Sequence, residues 1–243
     1  MSFTLVRFFL IQAFKCIFLL VTISLLWSCS LQAQQSPIYL TYDDGPDPQY
    51  TLALLDVLAQ HNVKATFFVT GQQAKKHPEI VLKAFHAGHT IANHSYAHRN
   101  AKDMSYDEIA KSYEETNSVI RAITGQKSIL FRAPFLSISE DSQAFLCKTS
   151  SNSVGVDMSG KDWATQKPDE IMKNLFGDLN NININGGVIL LHDGGSGLSG
   201  TRQGTIEATQ RLIPLLKNQG FTFADNPPLH KMQIADSECE IKS

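Results

Sequence analysis

The feature that most restricts the fold is an alternation, running from residue 37, of short β-branched and aromatic runs with longer amphipathic stretches. Runs of strand character fall at 38–42, 65–69 and 90–93, and the segments 50–60, 77–87 and 105–124 carry apolar residues at helical spacing. Further strands are expected at 129–132, 153–156, 188–192 and 221–224, with helices at 139–147, 168–180 and 202–219. Several boundaries carry their own chemistry: Ser105 with Glu108 reads as a capping box, Pro168 with Asp169 and Glu170 suits a first turn, and Gly88 and Gly220 suit helix C-termini. Apolar strands separated by helices pair in parallel with both faces covered, so the pattern defines an α/β domain. Whether its sheet is open or closed into a barrel is not decided by the pattern.

The chain of 243 residues, 43% hydrophobic and 18% charged, suffices for one large core. A formal charge of −2 shows no basic excess, so nucleic acid is not expected as a partner. Residues 1–33 differ from the rest: Arg7 and Lys15 precede an apolar run at 16–27, and small and polar residues follow. That order is the order of a secretion signal, and the run is short for a membrane span. Export to a periplasmic or extracellular location follows as an expectation. Cleavage after Ala33 competes with a lipoprotein box, Leu26-Trp27-Ser28-Cys29, and a membrane is expected as a partner only if Cys29 is acylated. Cys147 and Cys239 fall in the folded part; one pair is not a framework, and the plainer expectation is a buried Cys147 and an unpaired Cys239. The catalytic domain is expected over 36–226 and a loose tail over 227–243, in a monomer.

Chemistry gathers where strands end. In Thr41-Tyr42-Asp43-Asp44-Gly45-Pro46, two carboxylates stand at a strand's C-terminal end, where α/β folds place their sites. An isolated Asp-Asp-Gly-Pro also suits a plain capping turn. The next strand end carries His94-Ser95-Tyr96-Ala97-His98, whose imidazoles share one face if the segment turns helically. With an upstream carboxylate, they fit a two-His, one-carboxylate cation site with open positions better than they fit surface or core histidines. Arg132-Ala133-Pro134-Phe135 and Leu190-Leu191-His192-Asp193 close two further strands. An arginine there can hold Asp43 ionised, and a histidine on an apolar wall can deliver a proton.

These segments, in this order, resemble the polysaccharide deacetylase family, carbohydrate esterase family four, whose shared module is the NodB homology domain. The resemblance spans about 36 to 226. The first motif, Thr-Phe-Asp-Asp-Gly-Pro, is met with Tyr42 for Phe; the second, His-Ser/Thr-x-x-His, is met in full. It implies that Asp43 is the general base, that Asp44, His94 and His98 hold a divalent metal, and that Arg132 orients Asp43. The third motif ends in tyrosine where this chain has Phe135, whose backbone N–H is implied to serve the oxyanion. The fourth, Asp-Ser-x-Asp-Trp, has Ser159-Gly160 where the family has Asp-Ser. The resemblance gives its leading aspartate to tuning the catalytic histidine, so Asp162 or Asp157 is expected in that role, with Trp163 as the acetyl-pocket wall. Leu190 and His192 meet the fifth, Leu-x-His, with His192 the proton donor.

The implied fold is a distorted (β/α) barrel of about seven parallel strands. The implied ion is zinc, with cobalt or nickel as alternatives, and the implied substrate is an N-acetylated polysaccharide: peptidoglycan, chitin oligomers or a related polymer. O-acetyl xylan esterase activity, or a silent sugar-binding module on the same fold, are the rival readings. A glycosidase using Asp43 and Asp44 fits poorly, because sequence neighbours do not flank a glycosidic bond across ~5–10 Å.

Overall fold

The computed structural model describes residues 36–128, 130–149, 152–195 and 201–227. The expected signal segment, and all of the expected tail beyond Pro227, lie outside them. The elements run β1 (Ile38–Asp43), α1 (Tyr50–Gln60), β2 (Thr66–Val69), α2 (Gly71–Lys76), α3 (Pro78–His86), β3 (Thr90–Asn93) and α4 (Tyr106–Thr124). They continue with β4 (Leu130–Phe131), α5 (Glu140–Thr149), β5 (Asn152–Ser153), β6 (Met158–Ser159), α6 (Pro168–Phe176), β7 (Gly187–His192), α7 (Gln203–Asn218) and β8 (Phe223–Ala224). Among the described residues no helix is long and apolar enough to cross a membrane.

Among the described residues every pairing is parallel, and the strands follow the path β5-β4-β3-β2-β1-β7-β6, with β8 beside the start of β1. Read around a ring, this is sequence order from β1 to β7 with a seam between β5 and β6. Curvature is required by one side chain. Arg132, just past β4, reaches Thr41 Oγ1 and Asp43 Oδ1 on β1 at 2.8 and 2.7 Å. In a flat sheet those strands would stand three spacings apart, ~14 Å. The seven-strand barrel, distorted by its seam, is the architecture that the resemblance implied.

The strand period of two then sorts the side chains. Ile38, Leu40 and Tyr42 on β1, with Ile189 and Leu191 on β7, join the helices in the main core, where they meet Leu54, Leu58 and Leu212. The alternate residues face the barrel interior, where Phe68, Ala92, Leu130, Val154 and Val188 cluster with Tyr39 against them. Asp43 and His192 are on that inner series, and they are register partners at the last rung of β1 and β7.

Several boundaries depart from expectation. The helix expected at 77–87 is α3, and an unexpected short helix, α2, precedes it; the two stay separate because Pro78 disfavours helical backbone at His77, which sits at φ −130°. The strand expected at 153–156 is instead two short strands, β5 and β6, flanking that segment. The helix expected to reach 180 stops at Phe176, where Gly177 takes φ 72°. Cys147 is disulfide-bonded and half-buried, which overturns the expectation of an unpaired, buried thiol.

Candidate active site

Three turns at the C-terminal mouth of the barrel bring the polar groups together. At the first, the backbone leaves β1 and Asp44 enters the left-handed region at φ 77°, which breaks the strand alternation and turns its carboxylate from the direction Asp43 takes. Gly45 then passes so close to Asp193 that a Cβ would stand 2.2 Å from Asp193 Oδ2, so only glycine fits. Asp193 accepts hydrogen bonds from the Gly45 N–H (3.1 Å) and the Thr51 hydroxyl (2.6 Å), tying the turn to β7 and α1. Burial first, then the charges of Asp44 and Asp43, push its carboxyl up to about 7. Asp193 was missed in the sequence reading, although its place beside His192 was a signal.

The second turn follows β3. His94 and His98 converge, but not on a helix as expected: Ser95 and His98 lie at φ 63° and 51°, and the Ser95 N–H is held by Asn93 Oδ1 at 2.8 Å. The His94 Nδ1–H donates to the Arg132 carbonyl at 2.8 Å, and because a carbonyl only accepts, Nε2 carries the lone pair in the neutral ring. That lone pair faces Asp44 Oδ1 at 3.3 Å, and His98 Nε2 faces the same oxygen at 3.1 Å. Asp44 Oδ1 is buried and, among the described residues, has no partner of hydrogen-bonding geometry. The three ligand atoms lie within 4.8 Å of one another. Electron pairs converging from a carboxylate and an imidazole, with a second imidazole aimed at the same oxygen, repel unless a cation or proton lies between them. The donor set therefore fits a divalent metal of the kind that imidazole and carboxylate hold.

On the inner side of this cluster lies Asp43. Its Oδ1 accepts from Arg132, and its Oδ2 lies 3.8 Å from His94 Nε2. Arg132 is fully buried and also donates to the Val154 and Gly155 carbonyls at 3.3 and 3.2 Å, with its guanidinium carbon 4.1 Å from the Phe68 ring centroid. The sequence points to the Arg132–Asp43 pair but carries no signal for Thr41, whose hydroxyl accepts from the same nitrogen.

At the third turn it is Asp162, not Asp157, that meets His192. Asp162 Oδ1 meets His192 Nδ1 at 2.7 Å, and its Oδ2 accepts the His192 backbone N–H at 2.8 Å. Asp157 is engaged elsewhere, accepting the Val188 N–H at 2.7 Å. Burial lowers the affinity of His192 for a proton, but the hydrogen bond and charge of Asp162, with Asp43 and Asp44 behind, more than offset it, so its pKa is raised. Leu190 is buried and pairs in register with Ser159. Trp163 is exposed and packs edge-on against His192, centroids 5.4 Å apart, while Phe135 is exposed and meets His98 edge-on at 4.6 Å. Trp163 thus borders the site at His192 and Phe135 borders it at His98. A separate cavity of about 270 Å³, lined by His89, Ile120, Thr124 and Lys127 among others, opens where β3 and β4 begin and holds none of these groups.

Comparison with known proteins agrees with this geometry. The polysaccharide deacetylase family model matches residues 31–152. A peptidoglycan-N-acetylglucosamine deacetylase of Bacillus cereus is 34% identical over 195 residues, covering 80% of this chain and 68% of the relative. A chitooligosaccharide deacetylase of Sinorhizobium fredii is 34% identical over 200 residues, 79% of this chain and 91% of the relative. A solved peptidoglycan N-acetylglucosamine deacetylase, in complex with 4-naphthalen-1-yl-N-oxidanyl-benzamide, superposes with a TM-score of 0.72 at 34% identity, covering 80% of this chain and 88% of that one. A parallel barrel with a cation-fitting carboxylate–imidazole cluster at its mouth defines a class of hydrolase. Within it, the chain belongs to the polysaccharide deacetylase family and is a polysaccharide deacetylase.

Proposed function

We propose that the chain removes N-acetyl groups from N-acetylglucosamine units of a cell-wall or chitin-like polymer, with Asp44, His94 and His98 holding a divalent ion, zinc before cobalt or nickel. The observation that carries this is the convergence of His94 Nε2 and His98 Nε2 on the unpartnered Asp44 Oδ1, beside Asp43. A cation held there supplies Lewis acidity towards water and the acetyl carbonyl.

The protein's own groups do the rest. Arg132 fixes Asp43 through Oδ1, leaving Oδ2 on the His94 side to take the proton of the attacking water. Attack forms a carbon–oxygen bond at the acetyl carbon, and the Phe135 N–H stabilises the negative oxygen; such a donor is worth about 3–4 kcal/mol. As the carbon–nitrogen bond breaks, His192, kept protonated by Asp162, gives its proton to the sugar nitrogen, and acetate leaves. Trp163 walls the acetyl pocket, Leu190 underlies it, and Phe135 offers the sugar an apolar face. The catalytic domain is residues 36–226, exported by residues 1–33, and functions as a monomer.

Acetate release from peptidoglycan, N-acetylchitooligosaccharides and acetylated xylan tests the reading. Release from the first two with the glycan length unchanged is expected. Release from xylan alone would overturn the amide assignment, and shortened glycans would overturn deacetylation.

A further inference from the structure

We propose that Thr205, on the first turn of α7, is a positioning residue for proton delivery by His192, acting through Asp162. The inference rests on the acid role of His192 given above. Asp162 is fully buried, and among the described residues its carboxylate accepts from three groups: His192 Nδ1–H, His192 N–H and the Thr205 hydroxyl, the last at 2.7 Å on Oδ2. Two of the three belong to the residue that Asp162 serves. Thr205 is the donor from a separate element, so its bond fixes the carboxylate against the helix rather than against the imidazole it must orient.

The helix is itself locked to the turn that carries Asp162. The Gly204 N–H donates to Gln166 Oε1 at 3.2 Å, and Gln166 Nε2 donates to the Asp162 carbonyl at 2.9 Å. A Cβ on Gly204 would lie 2.3 Å from the Gln166 carbonyl oxygen, so the two segments pack backbone to backbone. Thr205 is buried and has one hydroxyl proton, which Asp162 receives.

The chemical consequence has a sign. A carboxylate that accepts more hydrogen bonds is a weaker base, so the Thr205 hydroxyl limits how firmly Asp162 retains the proton on His192. An acid held protonated too firmly delivers its proton slowly. The other charged groups acting on His192 are Asp43 at the end of β1 and Asp44 just past it, Asp193 follows it in sequence, and all of them remain when Thr205 is changed.

The test is an NMR titration of the His192 ring in the metal-loaded protein, assigned by its loss in His192→Gln, beside acetate-release kinetics. Thr205→Val should raise the His192 midpoint by roughly half to one pH unit and lower kcat about tenfold with KM little changed, since a hydrogen bond to a charged group is at stake. Thr205→Ser should restore both. If the valine variant does not fold, Thr205→Ala removes the same hydroxyl with less bulk. A midpoint unmoved without the hydroxyl, or a shift that serine fails to reverse, overturns the proposal. The midpoint decides the role of Thr205 whether or not acetate is released, whereas an inactive wild type would contradict the deacetylase reading alone.

Discussion

Arg132 carries a guanidinium into the barrel interior, and Asp43 Oδ1 at 2.7 Å supplies the opposing charge there. Removing one member of a buried pair strands the other, so Arg132→Met should destabilise the fold by about 3–5 kcal/mol, measurable by urea unfolding at neutral pH. At this scale most of the candidate site was legible in the sequence, because Asp43, Asp44, His94, Arg132 and His192 each stand at the end of an apolar run, with His98 four residues past one, where parallel strands deliver their residues to one mouth. The choice between Asp157 and Asp162 was not legible. It depends on where the backbone turns after β6: Gly160 packs against Leu191 and Ile171, and Lys161 takes φ 48°, which brings Asp162 beneath His192. Asp193 and Thr205 escaped the reading for a related reason, since their partners lie 142 and 43 residues away in sequence.

At the level of elements, α4 shows how local chemistry makes a boundary readable. Ser105 Oγ accepts the Glu108 N–H while Glu108 returns to the Ser105 N–H, and Gly125 closes the helix in the left-handed region at φ 76°. Ser105→Ala removes one side of that box and should cost about 1 kcal/mol of stability with no effect on turnover, as thermal unfolding and acetate release would show. Elements without such signals were placed poorly. The strands β5 and β6 have two residues each, too few for a period of two to register, and exist through pairing with β4 and β7. The histidine segment was read with a helical period, yet its spacing of four is achieved by two left-handed residues, which sequence spacing does not distinguish from a turn of helix.

Across the whole molecule, parallel pairing and βα alternation were readable, while closure was not, because curvature comes from contacts such as Arg132 to β1 that join distant strands. The pH dependence of stability is also a property of the assembled fold. His89, buried at the opposite end from the site, accepts the Ala65 N–H at Nδ1; burial, then the charge of Lys64, lowers its pKa from 6.5 to about 4. A histidine kept neutral in the fold contributes stability that is present above pH 6.5 and is lost as pH falls through 4, roughly 3 kcal/mol for a shift of that size. Asp193, raised to about 7, acts in the opposite sense, its contribution being lost as pH rises through that value. The measurement is therefore the difference in unfolding free energy between wild type and His89→Asn, which keeps an acceptor for Ala65: it should narrow towards acid and remain constant above pH 6.5.

The central claim is that one cluster holds the ion while a separate imidazole moves the proton. Metal content by mass spectrometry, set beside acetate release for Asp44→Ala and His192→Ala, tests it most directly. Asp44→Ala should lose the ion and activity together, whereas His192→Ala should keep one ion per chain and lose turnover by a factor of about 10²–10⁴. Full activity of the wild type after its metal has been stripped, or retention of the ion by Asp44→Ala, would contradict the account.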